Sequence, residues 1–187
     1  MGSSQADKRL SHERIVKLAS RRIRRDGVDG LTVGDLMQEA GLTHGGFYRH
    51  FESRDALVDE SVEAALADGS KVAEAVALAG DHTALIALID GYLSTLHRDH
   101  PDSGCAVTAL PSDVARSSDR ARAAYAKQVE RYIELLISLG CEDDQARMVL
   151  AALVGAIAMA RAIPDPEESA ALLAATARAL HRYVDSE

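Results

Sequence analysis

Between Leu31 and Leu57 the chain reads LTVGDLMQEAGLTHGGFYRHFESRDAL, with hydrogen-bonding side chains gathered around a pair of glycines. Thr32, Thr43, Tyr48 and Arg54 carry hydroxyl and guanidinium groups of the kind that grip phosphate oxygens. His44, Gly45, Gly46 and Arg49 lie among them. Small or polar residues there let a helix enter a major groove about 12 Å wide and approach the base edges. Each glycine weakens such a helix by roughly 1 kcal/mol relative to alanine, a cost that makes sense where close approach is useful. Leu42, Phe47 and Phe51 supply an apolar back that can pack on Ile23, Leu36 and Met37. The chemistry expected is the reading of double-stranded DNA. Thr32 and Thr43 also stand where helix caps belong, and one hydroxyl serves either role. His50 is read as a support for the helix.

These groups need helices to hold them. Ile15, Leu18, Ala19 and Ile23 share a face at helical spacing, which predicts a first helix over Ser11–Arg25, closed by Gly27 and Gly30. Thr32 caps a second, with Asp35 at its third position, a Leu31–Leu36 staple and a stop at Gly41. Thr43 caps a third over His44–Phe51, and Ser53 caps a fourth that reaches about Ala79. Further helices are expected over Thr83–Arg98, Cys105–Val114, Arg120–Leu139, Asp143–Ala162 and Pro166–Val184, the last capped by Asp165. The fold class is all-α. A helix-turn-helix DNA-binding domain (residues 1–53) precedes a larger helical domain (residues 54–187).

The 187 residues are 47% hydrophobic, with four prolines and no tryptophan. That composition can bury a substantial core in helices. The net charge of −8 argues against a nucleic-acid binder until its distribution is seen. Residues 1–54 hold ten Lys or Arg against seven Asp or Glu, a net of +3, and the remainder nets −11. A basic front on an acidic body suits DNA binding by the front alone. Cys105 and Cys141 make neither a metal motif nor a disulfide framework, so reduced thiols in a cytoplasmic protein are expected. The longest apolar run, Met148–Ala160, fits a buried helix, and no membrane partner is expected. No nucleophile–base constellation, metal spacing or phosphate loop is present, so neither an enzyme nor a cofactor is expected.

Over about residues 11–60 the chain resembles the TetR family of transcriptional regulators. The resemblance rests on Leu31-Thr32-Val33, Ala40-Gly41-Leu42-Thr43, Gly45, Phe47-Tyr48-Arg49-His50-Phe51 and Ser53-Arg54-Asp55-Ala56-Leu57. It implies phosphate contacts from Thr32, Thr43, Tyr48 and Arg54, and groove contacts around His44, Gly45, Gly46 and Arg49. Gly46 departs from the family pattern, where Thr, Ser or a larger residue is common. Arg54 stands where Lys is usual and keeps the charge.

One small recognition helix touches few base pairs, so a homodimer on a palindromic operator is expected. The last two helices suit pairing. Ala152, Gly155, Ala156 and Met159 permit close approach on one, and Leu173, Ala177, Leu180 and Val184 form a stripe on the other. The resemblance implies a four-helix interface from these two helices, and a small effector in the helical body that releases DNA. Candidate lining residues are Leu88, Tyr92, Leu96 and Leu110, with Tyr125, Val129 and Tyr132. They point to an apolar or aromatic molecule acting on a repressor. Cys105 is a second candidate: after Gly104 at an expected helix start, near His97 and His100, it reads as a thiol sensor of oxidants or electrophiles. A helical interaction module that binds no DNA is the remaining alternative.

Overall fold

The computed structural model describes residues 5–77 and 82–185, with side chains placed for 5–69 and 82–185. Among the described residues the secondary structure is helical throughout. α1 (Gln5–Asp26) begins six residues before the expected Ser11, and α2 is Val33–Glu39. After α2, Gly41 at φ 69° reverses the chain. The Leu42 N–H then reaches the Met37 carbonyl at 2.8 Å, and the Gly41 N–H reaches Gln38 at 2.9 Å. This paired closure satisfies carbonyls left open at a helix end. The same motif ends the long helix α8 (Asp119–Ser138), with Gly140 at φ 106° and Cys141 N–H on the Leu136 carbonyl.

The expected third helix is a 3-10 segment, His44–Arg49. The Gly46 N–H bonds the Thr43 carbonyl at 2.9 Å, and the His50 N–H bonds Phe47 at 2.9 Å. Two consecutive glycines lower the helical preference, and the short piece between its anchors tightens to i→i+3 bonding. Thr32 and Thr43 stand at the cap positions, yet neither side chain makes a cap bond. Thr32 Oγ1 donates to Asp35 Oδ2 at 2.5 Å instead. Ser53 does cap α3 (Arg54–Ala77), accepting from the Ala56 N–H at 3.0 Å. The expected end of that helix, near Ala79, lies outside the described residues.

Two expected helices are each broken in two. Thr83–Arg98 resolves into α4 (His82–Tyr92) and α5 (Thr95–Asp99), because Ser94 adopts an extended backbone and caps α5 through the His97 N–H. Cys105–Val114 resolves into α6 (Ala106–Ala109) and α7 (Pro111–Ala115), because Pro111 has no N–H to continue the ladder. α9 (Asp143–Ala162) matches expectation, and α10 (Pro166–Asp185) runs one residue past it. Asp165 Oδ1 accepts from the Glu167 and Glu168 N–H groups, the expected cap.

The helices enclose two apolar cores. The first joins Ile15, Ala19 and Ile23 of α1, Leu36 and Met37 of α2, Phe47 and Phe51, and Leu57, Val62 and Ala65 of α3. It also takes in Ala106, Val107, Leu110, Val114 and Ala121, so this core extends past residue 53 into the body. The second lies among α4, α8, α9 and α10, around Leu85, Ile89, Leu136, Val149, Leu153, Ile157, Leu173 and Leu180. α9 is long and apolar enough to meet the length and composition of a membrane span, but here its apolar face packs against α8 and α10.

α3 and α8 meet closely at Gly69. A methyl group added there would overlap the Tyr132 hydroxyl, while the next ring atom, Cζ, would stand 3.4 Å away. Gly69→Ala should therefore destabilise the protein by about 1–3 kcal/mol through overpacking. Tyr132→Phe in the same chain should recover most of that loss. Chemical denaturation of both variants and wild type measures the coupling, and additive effects would contradict the contact.

Candidate DNA interface and body cavity

Phe47 and Phe51 are buried at 2% and 3% exposure and stack at 5.4 Å, which anchors the 3-10 segment from behind. Tyr48 meets Phe47 edge-on yet remains 73% exposed. Thr32, Thr43, His44, Gly45 and Arg49 are all exposed. A Cβ on Gly45 would touch nothing within 4 Å. Gly46 is half-buried, and a Cβ there would stand 3.6 Å from Met37 Cε and from Thr43 Oγ1. The pair therefore divides: Gly45 faces open space, and Gly46 turns toward the core.

Arg54 is not a simple surface cation. It is half-buried, and its guanidinium donates to the Val28 carbonyl at 2.6 Å and to Leu31 at 3.3 Å. It ties the start of α3 to the turn between α1 and α2. His50 packs among Phe51 and His12, in keeping with its supporting role, and its Nδ1 has no partner among the described residues. Burial, His12, Lys8 and Arg49 together push the His50 imidazole below its ordinary range.

Two features of the head escaped the sequence reading. His12 stacks on Phe51 at 4.5 Å and reaches Glu60 at 2.6 Å, a contact across 48 residues that no short motif signals. Arg14, Lys17 and Arg21 form an exposed stripe on α1, opposite buried Ile15, Ala19 and Ile23. That stripe was visible in principle from helical periodicity.

In the body, a cavity of about 350 Å³ opens among α1, α3, α4, α5, α8, α9 and the 103–105 loop. Of the expected lining residues it brings together Leu88, Tyr92, Cys105 and Tyr132. The other four stand elsewhere. Leu96 is 69% exposed because the α4–α5 break turns it outward. Leu110 is fully buried in the first core, Val129 packs between the two cores, and the Tyr125 hydroxyl donates to the Val107 carbonyl at 2.8 Å. Leu135, Leu136, Leu150, Leu153, His97 and Arg24 complete much of the wall. The spacing of Arg21, Arg22, Arg24 and Arg25 predicts a run pointing largely outward, and Arg24 departs from it by turning inward.

Polar groups at one end of the cavity are tightly ordered. Tyr92 and Thr108 share a hydroxyl hydrogen bond at 2.5 Å, and Cys105 Sγ lies 3.7 Å from the Tyr132 hydroxyl. Burial raises the Tyr92 and Tyr132 phenols well above their ordinary range, so both remain neutral donors. The Cys105 N–H donates to His97 Nε2 at 3.0 Å, which leaves Nδ1 to donate to the Tyr92 carbonyl at 2.7 Å. His97 is thus a neutral bracket on the backbone, with its Nε2 lone pair occupied by an amide. The helix that follows Cys105 is a single turn of four residues.

On the last two helices, Ala156, Leu173 and Leu180 are buried within the chain's own core, which removes them from the expected partner-facing set. Ala152, Gly155, Ala177 and Val184 are half-buried, and Met159 is 54% exposed. Met148 and Tyr183 also stand exposed on these helices.

Residues 15–61 match the family described as "Bacterial regulatory proteins, tetR family". A TetR transcriptional regulator from Chloroflexus aurantiacus J-10-FL superposes with a TM-score of 0.80 at 23% identity, over 98% of each chain. E. coli NemR in its reduced form gives 0.76 at 19% identity, over 92% of this chain and 97% of that one. A TetR-family regulator from Agrobacterium tumefaciens gives 0.75 at 22% identity, over 94% and 98%. No curated protein matches in sequence. The shared fold is an N-terminal helix-turn-helix domain on a larger helical body. Residues 15–61 thus match the DNA-binding head of the TetR family of transcriptional regulators, and the chain as a whole shares the fold of solved TetR-family proteins.

His97 generates a pH dependence. Burial, with Arg161 adding to it, holds the imidazole below its ordinary value near 6.5, against the opposing bond to the Tyr92 carbonyl. The folded state thus prefers the neutral ring. Its contribution is present above about pH 6.5 and is lost as pH falls through the lower folded value. Unfolding free energy measured across that window should fall on acidification, and His97→Gln should flatten the fall. An identical slope in the variant would show that His97 does not titrate as described.

Proposed function

We propose that the protein is a homodimeric repressor that holds a palindromic operator and lets go when a small, largely apolar or aromatic molecule fills the body cavity. The exposed Tyr48, held on a buried Phe47–Phe51 base beside open Gly45, carries the reading. A large aromatic left in solvent on a rigid anchor, amid hydroxyls and arginine, is suited to seat against a DNA backbone. Thr32 and Thr43 spend no side-chain bond on capping, so Thr43 is available to phosphate and Thr32 can exchange Asp35 for it. His44, Gly45 and Arg49 face the groove, and Gly46 acts by letting the segment lie close to Met37. The Arg14–Lys17–Arg21 stripe adds phosphate attraction. Dimerisation uses Ala152, Gly155, Met159, Ala177 and Val184, joined by exposed Met148 and Tyr183. A cytoplasmic location follows from this role. Residues 1–53 act as the reading domain and 54–187 as the controlling one.

Tyr48 and Arg54 separate contact from support. Tyr48→Ala should lower operator affinity by about tenfold or more without changing Tm. Arg54→Ala should lower both, because two carbonyls lose a charged donor at a cost of about 1–3 kcal/mol. Operator fragments selected from genomic DNA and fluorescence anisotropy at several salt concentrations provide the readout. Unchanged affinity in Tyr48→Ala would remove the assigned face.

A second reading makes Cys105 the trigger. Its thiol lies in the cavity wall beside Tyr132, and the similar NemR structure is described as a reduced form. In that case Cys105→Ser should abolish operator release by oxidants or electrophiles and leave DNA affinity intact. Release that persists in the variant would refute a thiol trigger.

A further inference from the structure

The cavity wall contains a cation that the apolar-effector reading does not use. Arg24 belongs to α1, the first helix of the head, yet it is only 6% exposed and reaches the body cavity. Its partners are distant. Nη1 lies 3.4 Å from the Ala65 carbonyl, Nη2 lies 3.5 Å from Asp68 Oδ2, and Nε has no partner among the described residues. Bonds from a charged donor to oxygen are ordinarily about 2.7–2.9 Å. A buried guanidinium with five N–H groups is therefore under-bonded. Burial lowers its proton affinity, while Asp68 and Asp102 oppose that effect. The Asp68 side chain is 48% exposed, so water shares its charge and the deep end remains electropositive.

The rest of the wall is complementary to a chain or ring with one acidic end. Leu88, Leu135, Leu136, Leu150 and Leu153 are apolar, and the Tyr132 hydroxyl is a neutral donor. We propose that the effector is an amphipathic carboxylic acid whose carboxylate pairs with Arg24 while its hydrocarbon lies against those leucines. Both protein groups that now hold Arg24, Ala65 and Asp68, belong to α3. A carboxylate that draws the guanidinium away loosens α1 from α3, and the head rests on that seam. The effector thus acts on the reading head through one side chain.

This rests on the cavity being the effector site, and the probes separate the two ideas. Octanoate, octanamide and octylamine share a hydrocarbon tail and differ at the head. Titration into the full-length protein, followed by calorimetry and Tm, should show octanoate binding about tenfold or more tighter than octanamide, with octylamine weakest. Arg24→Met should remove the preference for octanoate and retain the octanamide affinity, and Arg24→Lys should retain part of the preference. Octanoate should release operator DNA from wild type and not from Arg24→Met. Should Arg24→Met fail to fold, the wild-type ranking alone decides. Equal binding of acid and amide, or a preference for the amine, would overturn the carboxylate assignment and leave the cavity as the effector site. No binding by any of the three would overturn both.

Discussion

The structure depends on one helix being packed from two sides. α3 starts in the reading head, where Leu57, Val58 and Val62 close the first core against α1. It continues past α8, and Gly69 brings the two backbones close enough for the Tyr132 hydroxyl to lie on it. Its outer edge is held by Arg120, which makes two 2.7 Å bonds to Glu63, and by Ser118, which donates to Asp59 at 2.6 Å. A close-packed interior transmits displacement because it has little void to absorb it. Tyr132 thus bears directly on α3, the helix whose first residue, Arg54, braces the turn before α2.

What the sequence made legible was local. Gly41, Ser53 and Asp165 act within a few residues of themselves, and each closes or caps its helix as its residue type demands. The long helices α8, α9 and α10 followed from periodicity. The breaks at Ser94 and Leu110 were less legible because the apolar pattern continues across them. Pro111 was the signal for one, and Ser94 for the other. The 3-10 segment was half legible: Gly45-Gly46 marks a weakened helix, but not that the short piece tightens to i→i+3 bonding.

The candidate site divides in the same way. Tyr48, Phe47 and Phe51 were legible because side-chain direction on a short anchored segment follows from spacing. The cavity was only half legible, because its wall is assembled from seven parts of the chain. Leucines of α8 and α9 carry no mark that distinguishes a cavity wall from plain core. Arg24 was hidden for the opposite reason, as an arginine among arginines. Only its place on the helix, one residue beyond Ile23, turns it inward with the buried face.

The head's charge also needs revision once its contacts are known. Arg22 is spent on Glu39 at 2.7 Å, Arg25 on Asp26 at 2.8 Å, Arg24 faces the cavity, and Arg54 holds backbone carbonyls. Arg9 leans on Glu13 at 3.7 Å. Among the described residues, Lys8, Arg14, Lys17, Arg21 and Arg49 hold no ion pair and are exposed. The front's net charge of +3 therefore understates how concentrated its usable charge is. Internal pairing leaves the bases of α1 and Arg49 of the 3-10 segment as the field that a polyanion would meet. Binding by so few cations depends on each one, and it weakens with salt in proportion to the phosphates they neutralise. The acidic remainder, with a net charge of −11, works in the same direction, since like charge disfavours DNA there.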